Sequence, residues 1–382
     1  MLLVPWAYLA WNTTVGEIAP SLRFRTKQTI AGVVADAAPD LSTHALLSGR
    51  FQQSISRAVG VLSPVFKPSI RWKNEIYYAL LGTSGTSRVI VGRNRQLMES
   101  GYIDEYCRRD LATLRPRFEK WAARLRSLQD GFEARGTPFL YFITPSKVAE
   151  QPEIIPRGYR CPGSAADRAG KLEVYTAALT AHGVRFVDGA SPLASARAKY
   201  GIDMFPRGGT HWNELAAALG TEQLVAKAAR AQVRPPLTPF TFKWTLSDTA
   251  TGADRDLLDI MNLPHPDARF PVPRLTFRSE EPADGCQPTR ITEVGGSFLM
   301  GVNVILEKLV CPPDITYWFY WDHEKFRYAA GKFDRFPAND DARRASLLDT
   351  DLVLLEENDA ALPEALPAQQ LMEFMAQLPL RG

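Results

Sequence analysis

Residues 139–143 read Phe-Leu-Tyr-Phe-Ile, an uninterrupted apolar run that follows a break at Gly136 and Pro138. The segment before the break carries apolar residues at spacings of three and four: Phe118, Trp121, Ala122, Leu125, Leu128 and Phe132. This spacing predicts a helix with one buried face. A short run that is apolar on both faces is typical of a strand covered on both sides, so residues 139–143 are expected to be a central strand.

A second helix and strand follow the first. Ser164 is placed to cap a helix whose buried face carries Leu172, Tyr175 and Leu179, and Gly183 ends it before the short run 184–187. Three later segments also look like buried strands: 290–294, 315–320 and 352–355. Helices alternating with buried strands indicate an α/β protein with a parallel sheet.

Composition narrows the class of protein. The chain has 382 residues, is 45% hydrophobic and carries a formal net charge of only +3, which favours a folded globular protein and argues against nucleic-acid binding. Four cysteines show no Cys-x-x-Cys spacing, so no zinc or other metal site is predicted, and there is no glycine-rich phosphate loop to indicate a cofactor. Two disulfides and four buried thiols are equally compatible with this count.

The N-terminus has two interpretations. Residues 2–11 form an apolar run that is too short to span a bilayer by itself, and no basic segment precedes it. It is either the remnant of a membrane anchor or a buried helix or strand. We treat residues 1–70 as an N-terminal segment made of this run and a loop-rich lead-in, and residues 71–382 as the main domain.

Open α/β sheets bind ligands at the carboxyl ends of their strands, and three segments lie there. They are Thr-Pro-Ser-Lys ending at Lys147, Gly-Gly-Thr-His-Trp-Asn around His211, and Gly-Gly-Ser-Phe around Ser297. A serine becomes nucleophilic when a base within hydrogen-bond reach takes its proton, so Ser297 and His211 are the candidate nucleophile and base. The glycines before Ser297 are expected to adopt left-handed backbone angles.

Three further residues are candidates for substrate binding, each with a plainer alternative. Trp212 is either a sugar platform or a core anchor for the helix that Asn213 would cap. Lys147 is either a ligand contact or a solvated loop residue. Tyr320, together with Tyr317, is a weaker aromatic candidate at the end of a predicted strand.

The ordered motifs resemble the alginate O-acetyltransferase (AlgJ/AlgX-like) family of SGNH hydrolase-like enzymes. The resemblance rests on Thr-Pro-Ser-Lys, the later Pro-Glu-Ile-Ile-Pro, Gly-Thr-His-Trp-Asn and Val-Gly-Gly-Ser-Phe, in that order. Two more segments match: Val-Gly-Arg-Asn from Val91, followed by Leu-Met-Glu, and Leu-Leu-Glu-Glu-Asn from Leu354. It covers about residue 71 to the C-terminus and implies a three-layer sandwich around a parallel sheet, with the histidine motif before the serine.

The resemblance also implies an activity and a location. It implies a periplasmic O-acetyltransferase, held at the inner membrane by its N-terminal segment, that moves acetyl groups onto hydroxyls of an exopolysaccharide. Ser297 would carry the acetyl group and His211 would accept the proton. The acetyl donor would come from a multipass membrane acyltransferase, and the acceptor would be the polysaccharide.

The chain departs from the family at two positions. The family has an aspartate two residues before the histidine and another before the serine, where this chain has Gly209 and Gly296. Loss of the orienting carboxylate is costly in serine enzymes. Asp203 is the candidate to replace it, and Glu293, within a strand, is a poorer one. Three functions therefore stay open: an O-acetyltransferase, an acetyl esterase with the same dyad, and a catalytically silent polysaccharide-binding or scaffold protein.

Overall fold

The computed structural model describes residues 66–281, 285–321, 324–329, 332–336 and 339–377, together with residues 30, 42, 44 and 48. The apolar run 2–11 and most of the predicted N-terminal segment 1–70 lie outside these residues. Across the described ranges, no helix combines the length and apolarity needed to cross a membrane. The described chain falls into two compact units, residues 66–91 with 256–268 and residues 92–255 with 269–377.

The described strands alternate with helices along most of the chain. The strands are β1 Val89–Val91, β2 Leu97–Glu99, β3 Phe139–Thr144, β4 Phe186–Asp188, β5 Phe240–Thr249, β6 Arg269–Ser279, β7 Arg290–Gly295, β8 Asp314–Phe319, β9 Glu324–Ala329, β10 Lys332–Phe336 and β11 Leu352–Asn358. The helices are α1 Phe66–Leu81, α2 Ser100–Cys107, α3 Leu111–Glu133, α4 Lys147–Glu150, α5 Ala165–Ala181, α6 Leu193–Tyr200, α7 Glu214–Arg230, α8 Asp256–Ile260, α9 Leu299–Leu306, α10 Asp340–Leu348 and α11 Leu366–Ala376.

The smaller unit contains α1, β1 and α8. Asn74 of α1 is buried, and its side-chain amide donates to the backbone oxygen of Met261 at 2.7 Å. Gly85 leaves room for this amide, because a Cβ there would lie 2.1 Å from the Asn74 side chain. The unit is therefore tied together by a buried hydrogen bond across its two chain segments.

A seven-stranded sheet organises the larger unit, in the order β10-β9-β8-β7-β11-β3-β4. The five strands from β8 to β4 are mutually parallel, whereas β9 and β10 add antiparallel pairs at one edge. Strand β7 lies between β8 and β11, so the residues that follow these strands meet at one edge of the sheet. This is the predicted parallel sheet, with antiparallel strands that the sequence patterns did not reveal.

Alternate residues of β3 face two different cores. Leu140 and Phe142 pack with α7 and α9, while Tyr141 and Ile143 pack with α3, α5 and α11 on the other side. All four side chains are fully buried. A parallel sheet covered by helices on both faces is the three-layer sandwich that was predicted, and it explains why the run 139–143 contains no polar residue.

The predicted start of a helix after Ser164 is confirmed. The Ser164 hydroxyl accepts from the backbone N–H of Asp167 at 3.0 Å, and α5 begins at Ala165.

All four cysteines are paired, as Cys107–Cys161 and Cys286–Cys311. The disulfide interpretation, which composition left open, therefore holds. The antiparallel hairpin of β5 and β6 had not been predicted.

Candidate active site

Two loops at the carboxyl edge of the sheet carry the predicted nucleophile and base. Strand β7 ends at Gly295, and Ser297 follows in the turn before α9. His211 lies just before α7, whose first turn is capped by the Asn213 side chain accepting from the Ala216 N–H at 3.0 Å. The amide of Asn213 also donates to the backbone oxygen of Asp203 at 2.6 Å, which holds the loop before the histidine.

The structure brings the two side chains together. His211 Nε2 lies 2.7 Å from Ser297 Oγ, although the residues are 86 positions apart in the chain. The imidazole packs at a tilt against the Phe298 ring, with centroids 4.9 Å apart. Both residues are half-buried, so the pair is held by packing and still borders solvent. This is the contact that a serine nucleophile and its general base require.

The two glycines before Ser297 leave room for neighbouring side chains. Neither has a positive φ, so the expected left-handed conformation is wrong. A Cβ at Gly295 would instead lie 2.7 Å from the Glu356 side chain, and a Cβ at Gly296 would lie 3.1 Å from the Tyr320 ring. Glycine is required here for the close approach of two side chains to the backbone of the turn.

Tyr320 lies on the solvent side of this turn. Its hydroxyl is 3.3 Å from Ser297 Oγ and 3.5 Å from the backbone N of Ser297. Its own N–H donates to the Gly295 oxygen at 2.9 Å, and its φ of 45° is in the left-handed region. A non-glycine residue in this region is held there by its surroundings. Tyr320 is 40% exposed, as suits its predicted role beside the substrate.

Glu356 of β11 lies on the buried side of the same turn. One carboxylate oxygen accepts from the Gly296 N–H at 2.7 Å, and the other accepts from the Thr144 hydroxyl. The side chain is almost fully buried. Burial raises the pKa of Glu356, while the bonds from Thr144 and Gly296 and the charge of His211 act in the opposite direction.

Lys147 was predicted to contact substrate, and the structure corrects this. Its ammonium is 1% exposed and donates to the backbone oxygens of Pro206 at 2.6 Å and Gly209 at 2.9 Å. These carbonyls belong to the loop that leads into His211. Lys147 therefore holds that loop from its buried side, because a buried ammonium must satisfy its donors with protein oxygens.

Trp212 and Tyr317 are likewise core residues. Trp212 is 4% exposed and its indole N–H donates to the Phe298 oxygen at 3.2 Å, so the plainer interpretation as a core anchor is the one that the geometry supports. Tyr317 is fully buried and its hydroxyl donates to the Gly296 oxygen. Neither aromatic face is open to a sugar.

Asp203 does not reach the histidine. Its carboxylate lies 2.8 Å from Nε of Arg197, a cation on the preceding helix α6. The predicted replacement of the family's orienting aspartate by Asp203 is therefore corrected: Arg197 holds that carboxylate instead. Glu293, the poorer candidate, is buried in β7 and accepts from the Asn303 amide at 2.8 Å.

Family models match one segment of this chain. Residues 102–287 match the SGNH hydrolase-like domain of the acetyltransferase AlgX. The match contains His211 and covers just under half of the chain, and it ends before Ser297. The predicted resemblance to this family and the predicted fold class are confirmed.

Solved structures similar to this chain include three proteins. The O-acetyltransferase domain of Pseudomonas putida AlgJ shares 15% identity over 75% of this chain and 98% of its own, with a TM-score of 0.48. Pseudomonas aeruginosa AlgX shares 16% over 75% of this chain and 67% of its own, with a TM-score of 0.48. Bacillus cereus PatB1 shares 11% over 75% of this chain and 99% of its own, with a TM-score of 0.47. Comparison with curated proteins found no match.

Sequence reasoning missed Glu356 as a site residue. The signal was present: an acidic residue directly continues the apolar run 352–355, where a carboxylate must find buried donors. Thr144 ends the adjacent strand β3 and supplies one of those donors. Reading the polar residues of neighbouring strand ends together would have identified this pair.

Proposed function

We propose that this protein transfers acetyl groups onto hydroxyls of an exopolysaccharide through an acetyl-serine intermediate. The observation that carries the proposal is the 2.7 Å contact between Ser297 Oγ and His211 Nε2, of which His211 lies in the segment that matches an acetyltransferase family. The same contact favours a catalytic protein over a silent scaffold, because it retains the geometry of nucleophile and base.

The first half-reaction forms the acetyl-serine. Ser297 Oγ attacks the carbonyl carbon of the acetyl donor, and its proton passes to His211 Nε2 as the new C–O bond forms. The carbonyl electron pair moves onto oxygen, giving a tetrahedral oxyanion. When the pair returns, the bond to the leaving group breaks and the leaving group takes the proton from His211.

The second half-reaction releases the acetyl group. A sugar hydroxyl attacks the acetyl-serine carbonyl carbon and gives its proton to His211. A second oxyanion forms and collapses, the bond to Ser297 Oγ breaks, and Oγ recovers the proton from the imidazole. Acetyl ester and free serine are the products, so the enzyme ends in its starting state.

The oxyanion would form beside Tyr320. The Tyr320 hydroxyl lies 3.3 Å from Ser297 Oγ and accepts a long hydrogen bond of 3.5 Å from the Ser297 N–H, which an oxyanion bound between the two groups would replace. The Gly296 N–H is engaged by Glu356 and so does not serve as a donor. We assign the oxyanion site to the Tyr320 hydroxyl and the Ser297 N–H, since donors preorganised at the developing charge stabilise the transition state most.

The proposal extends to the compartment and to the donor. Two disulfides are typical of proteins in oxidising compartments, which supports a periplasmic location. Following the family resemblance, we propose that a multipass membrane acyltransferase supplies the acetyl group. Removing that partner from the native host would abolish polymer acetylation and leave the reaction of the purified protein with an aryl acetate intact.

The test uses the full chain with an activated aryl acetate. We expect Ser297 to gain the mass of one acetyl group in wild type, no gain in Ser297→Ala, and a strongly reduced rate in His211→Ala. Ser127→Ala, on an exposed position of α3, and His182→Ala, half-buried just after α5, are matched controls and should react like wild type. Equal acetylation in all five proteins would refute the proposal.

Adding a sugar acceptor distinguishes an acetyltransferase from an acetyl esterase. Adding soluble oligosaccharides to the acetylated protein should give acetylated sugar faster than free acetate. Release of acetate at the same rate with and without oligosaccharide would instead identify an acetyl esterase.

A further inference from the structure

The Glu356 carboxylate contacts the turn that carries Ser297, and the steps described so far give it no role. We propose that Glu356 is a positioning residue for the Ser297–His211 pair: its carboxylate fixes the turn that presents Ser297 and supplies the negative charge that stabilises protonated His211. This inference rests on the proposed function. It adds to the site a carboxylate from strand β11, whereas the family's aspartate lies two residues before the histidine.

The first part of the argument is the position of the carboxylate. Glu356 accepts the Gly296 N–H at 2.7 Å, one residue before the nucleophile. Gly295 has no space for a side chain, because a Cβ there would meet both Cβ and Oε2 of Glu356 at 2.7 Å. The backbone of the turn is therefore built against this carboxylate, and its position sets the position of Ser297.

The second part of the argument is that both hydrogen bonds to the Glu356 carboxylate are donated to it. The Asn358 amide donates to the Thr144 hydroxyl oxygen at 3.3 Å, so the Thr144 proton is directed at Glu356. Each oxygen of Glu356 thus faces a donor, one from Thr144 and one from Gly296. Bonds of this polarity favour the ionised carboxylate.

The third part is the set of charges around Glu356. His211 interacts favourably with its charge, and two buried acids, Glu293 and Glu357, interact unfavourably. Burial is the main cause that raises the pKa of Glu293 to about 8 and that of Glu357 to about 7, and burial raises the pKa of Glu356 as well. Of the three acids, Glu356 is the one whose charge interacts with His211 and which accepts from both Thr144 and the turn before Ser297, so it is the carboxylate placed to balance an imidazolium at His211.

A buried carboxylate is costly to the fold, and a purely structural acceptor for Gly296 would not need a charge. Replacement by glutamine tests this distinction, because the amide keeps the shape and can still accept from Gly296. Glu357→Gln is the matched control: it removes an equally buried carboxyl one residue later, whose bonds go to Trp121 and Tyr141 on the opposite face of the sheet.

The experiment measures two quantities in wild type, Glu356→Gln, Glu356→Asp and Glu357→Gln. The first is the rate of acetylation of Ser297 by an aryl acetate as a function of pH. The second is the pH at which the His211 ring changes its NMR chemical shift, assigned by comparison with His211→Ala. The second readout does not depend on activity.

We expect Ser297 in Glu356→Gln to be acetylated about tenfold or more slowly than in wild type. We also expect the midpoint of the pH–rate profile and the midpoint of the His211 NMR titration to move to lower pH by about half a unit to one unit, because protonated His211 loses its counter-charge. Glu356→Asp should recover part of the shift in midpoint, and Glu357→Gln should leave it unchanged. A folded Glu356→Gln variant with the wild-type His211 midpoint would overturn the inference. Absence of acetylation in wild type would refute the proposed function, and the NMR titration would still decide the role of Glu356.

Discussion

Gly209 and Ala253 pack so closely that position 209 has no room for a side chain. A Cβ at Gly209 would lie 2.2 Å from the backbone oxygen of Ala253 and 3.0 Å from the Pro206 ring. The position at which the family carries an aspartate is therefore filled, in this chain, by the backbone of the 3₁₀ turn Gly252–Arg255. The glycine is part of the local packing, and the missing aspartate cannot simply be put back.

Gly209→Asp should therefore impair the protein, even though it recreates the family motif. We expect Gly209→Ala to lower the free energy of unfolding by about 1–3 kcal/mol and Gly209→Asp to lower it further, without a gain in acetylation rate. Urea unfolding and the aryl acetate assay measure both quantities. Gly101→Ala, in α2 with open space around it, is the control and should change stability by about 0.5 kcal/mol or less. A faster Gly209→Asp enzyme would contradict this account.

Tyr320→Phe tests the assigned oxyanion donor. The phenyl ring can keep its packing on Phe319, at 4.5 Å between centroids, while the hydroxyl beside Ser297 is lost. We expect the rate of acetylation to fall about a hundredfold with little change in the free energy of unfolding. Tyr200→Phe, on α6, serves as the control and should retain full rate. A Tyr320→Phe rate within about twofold of wild type would assign the oxyanion to other donors.

Lys147→Met should destabilise the loop before His211. The methionine fills most of the space but leaves the carbonyls of Pro206 and Gly209 without their buried donor. We expect a loss of about 2–4 kcal/mol in the free energy of unfolding, and a lower acetylation rate because His211 is less well placed. Lys120→Met, exposed on α3, is the matched control. Wild-type stability in Lys147→Met, measured by urea unfolding, would show that the ammonium is dispensable.

Glu293 should make the fold less stable as pH rises. Burial raises the pKa of Glu293 to about 8, from an ordinary value of 4.5. The folded state then binds a proton that the unfolded state has released, so the free energy of unfolding falls as pH increases from about 4.5 to 8. Glu293→Gln should remove this part of the slope and be relatively more stable at pH 8 than at pH 5. Parallel stability curves for the two proteins between these values would contradict the prediction.

The buried strands and the two side chains of the Ser297–His211 contact were predictable, because each depends on local pattern. Strand β3 follows from a run that is apolar on both faces, and Ser297 and His211 were found as polar residues at the ends of predicted elements. The 2.7 Å contact between them then confirmed their expected proximity. Such predictions need only the neighbouring residues and the rule that parallel strands end at one edge.

Of the residues that were misread or missed, Lys147 and Glu356 depend on partners distant in the chain, whereas Asp203 has a competing partner nearby. Lys147 looked like a loop cation, but its acceptors are backbone oxygens 59 and 62 residues away. Asp203 was assigned to His211 by proximity in sequence, and Arg197, on the helix just before it, competes for the same carboxylate. Glu356 directly continues an apolar run, and its role follows once the register places β11 beside β7. Contacts between separate segments decide the roles of Lys147 and Glu356, and patterns read one segment at a time do not show them.

The order of strands has a practical consequence for dividing this protein. The segment that matches the AlgX-type model ends at residue 287, whereas β7, β8 and β11 all begin after it. A fragment cut at that boundary would keep β3, β4 and His211 but lose the middle of the parallel sheet together with Ser297, Tyr320 and Glu356. Its two remaining parallel strands would have no central partner, and its histidine would have no serine. Recombinant pieces of this chain should therefore extend at least through α11.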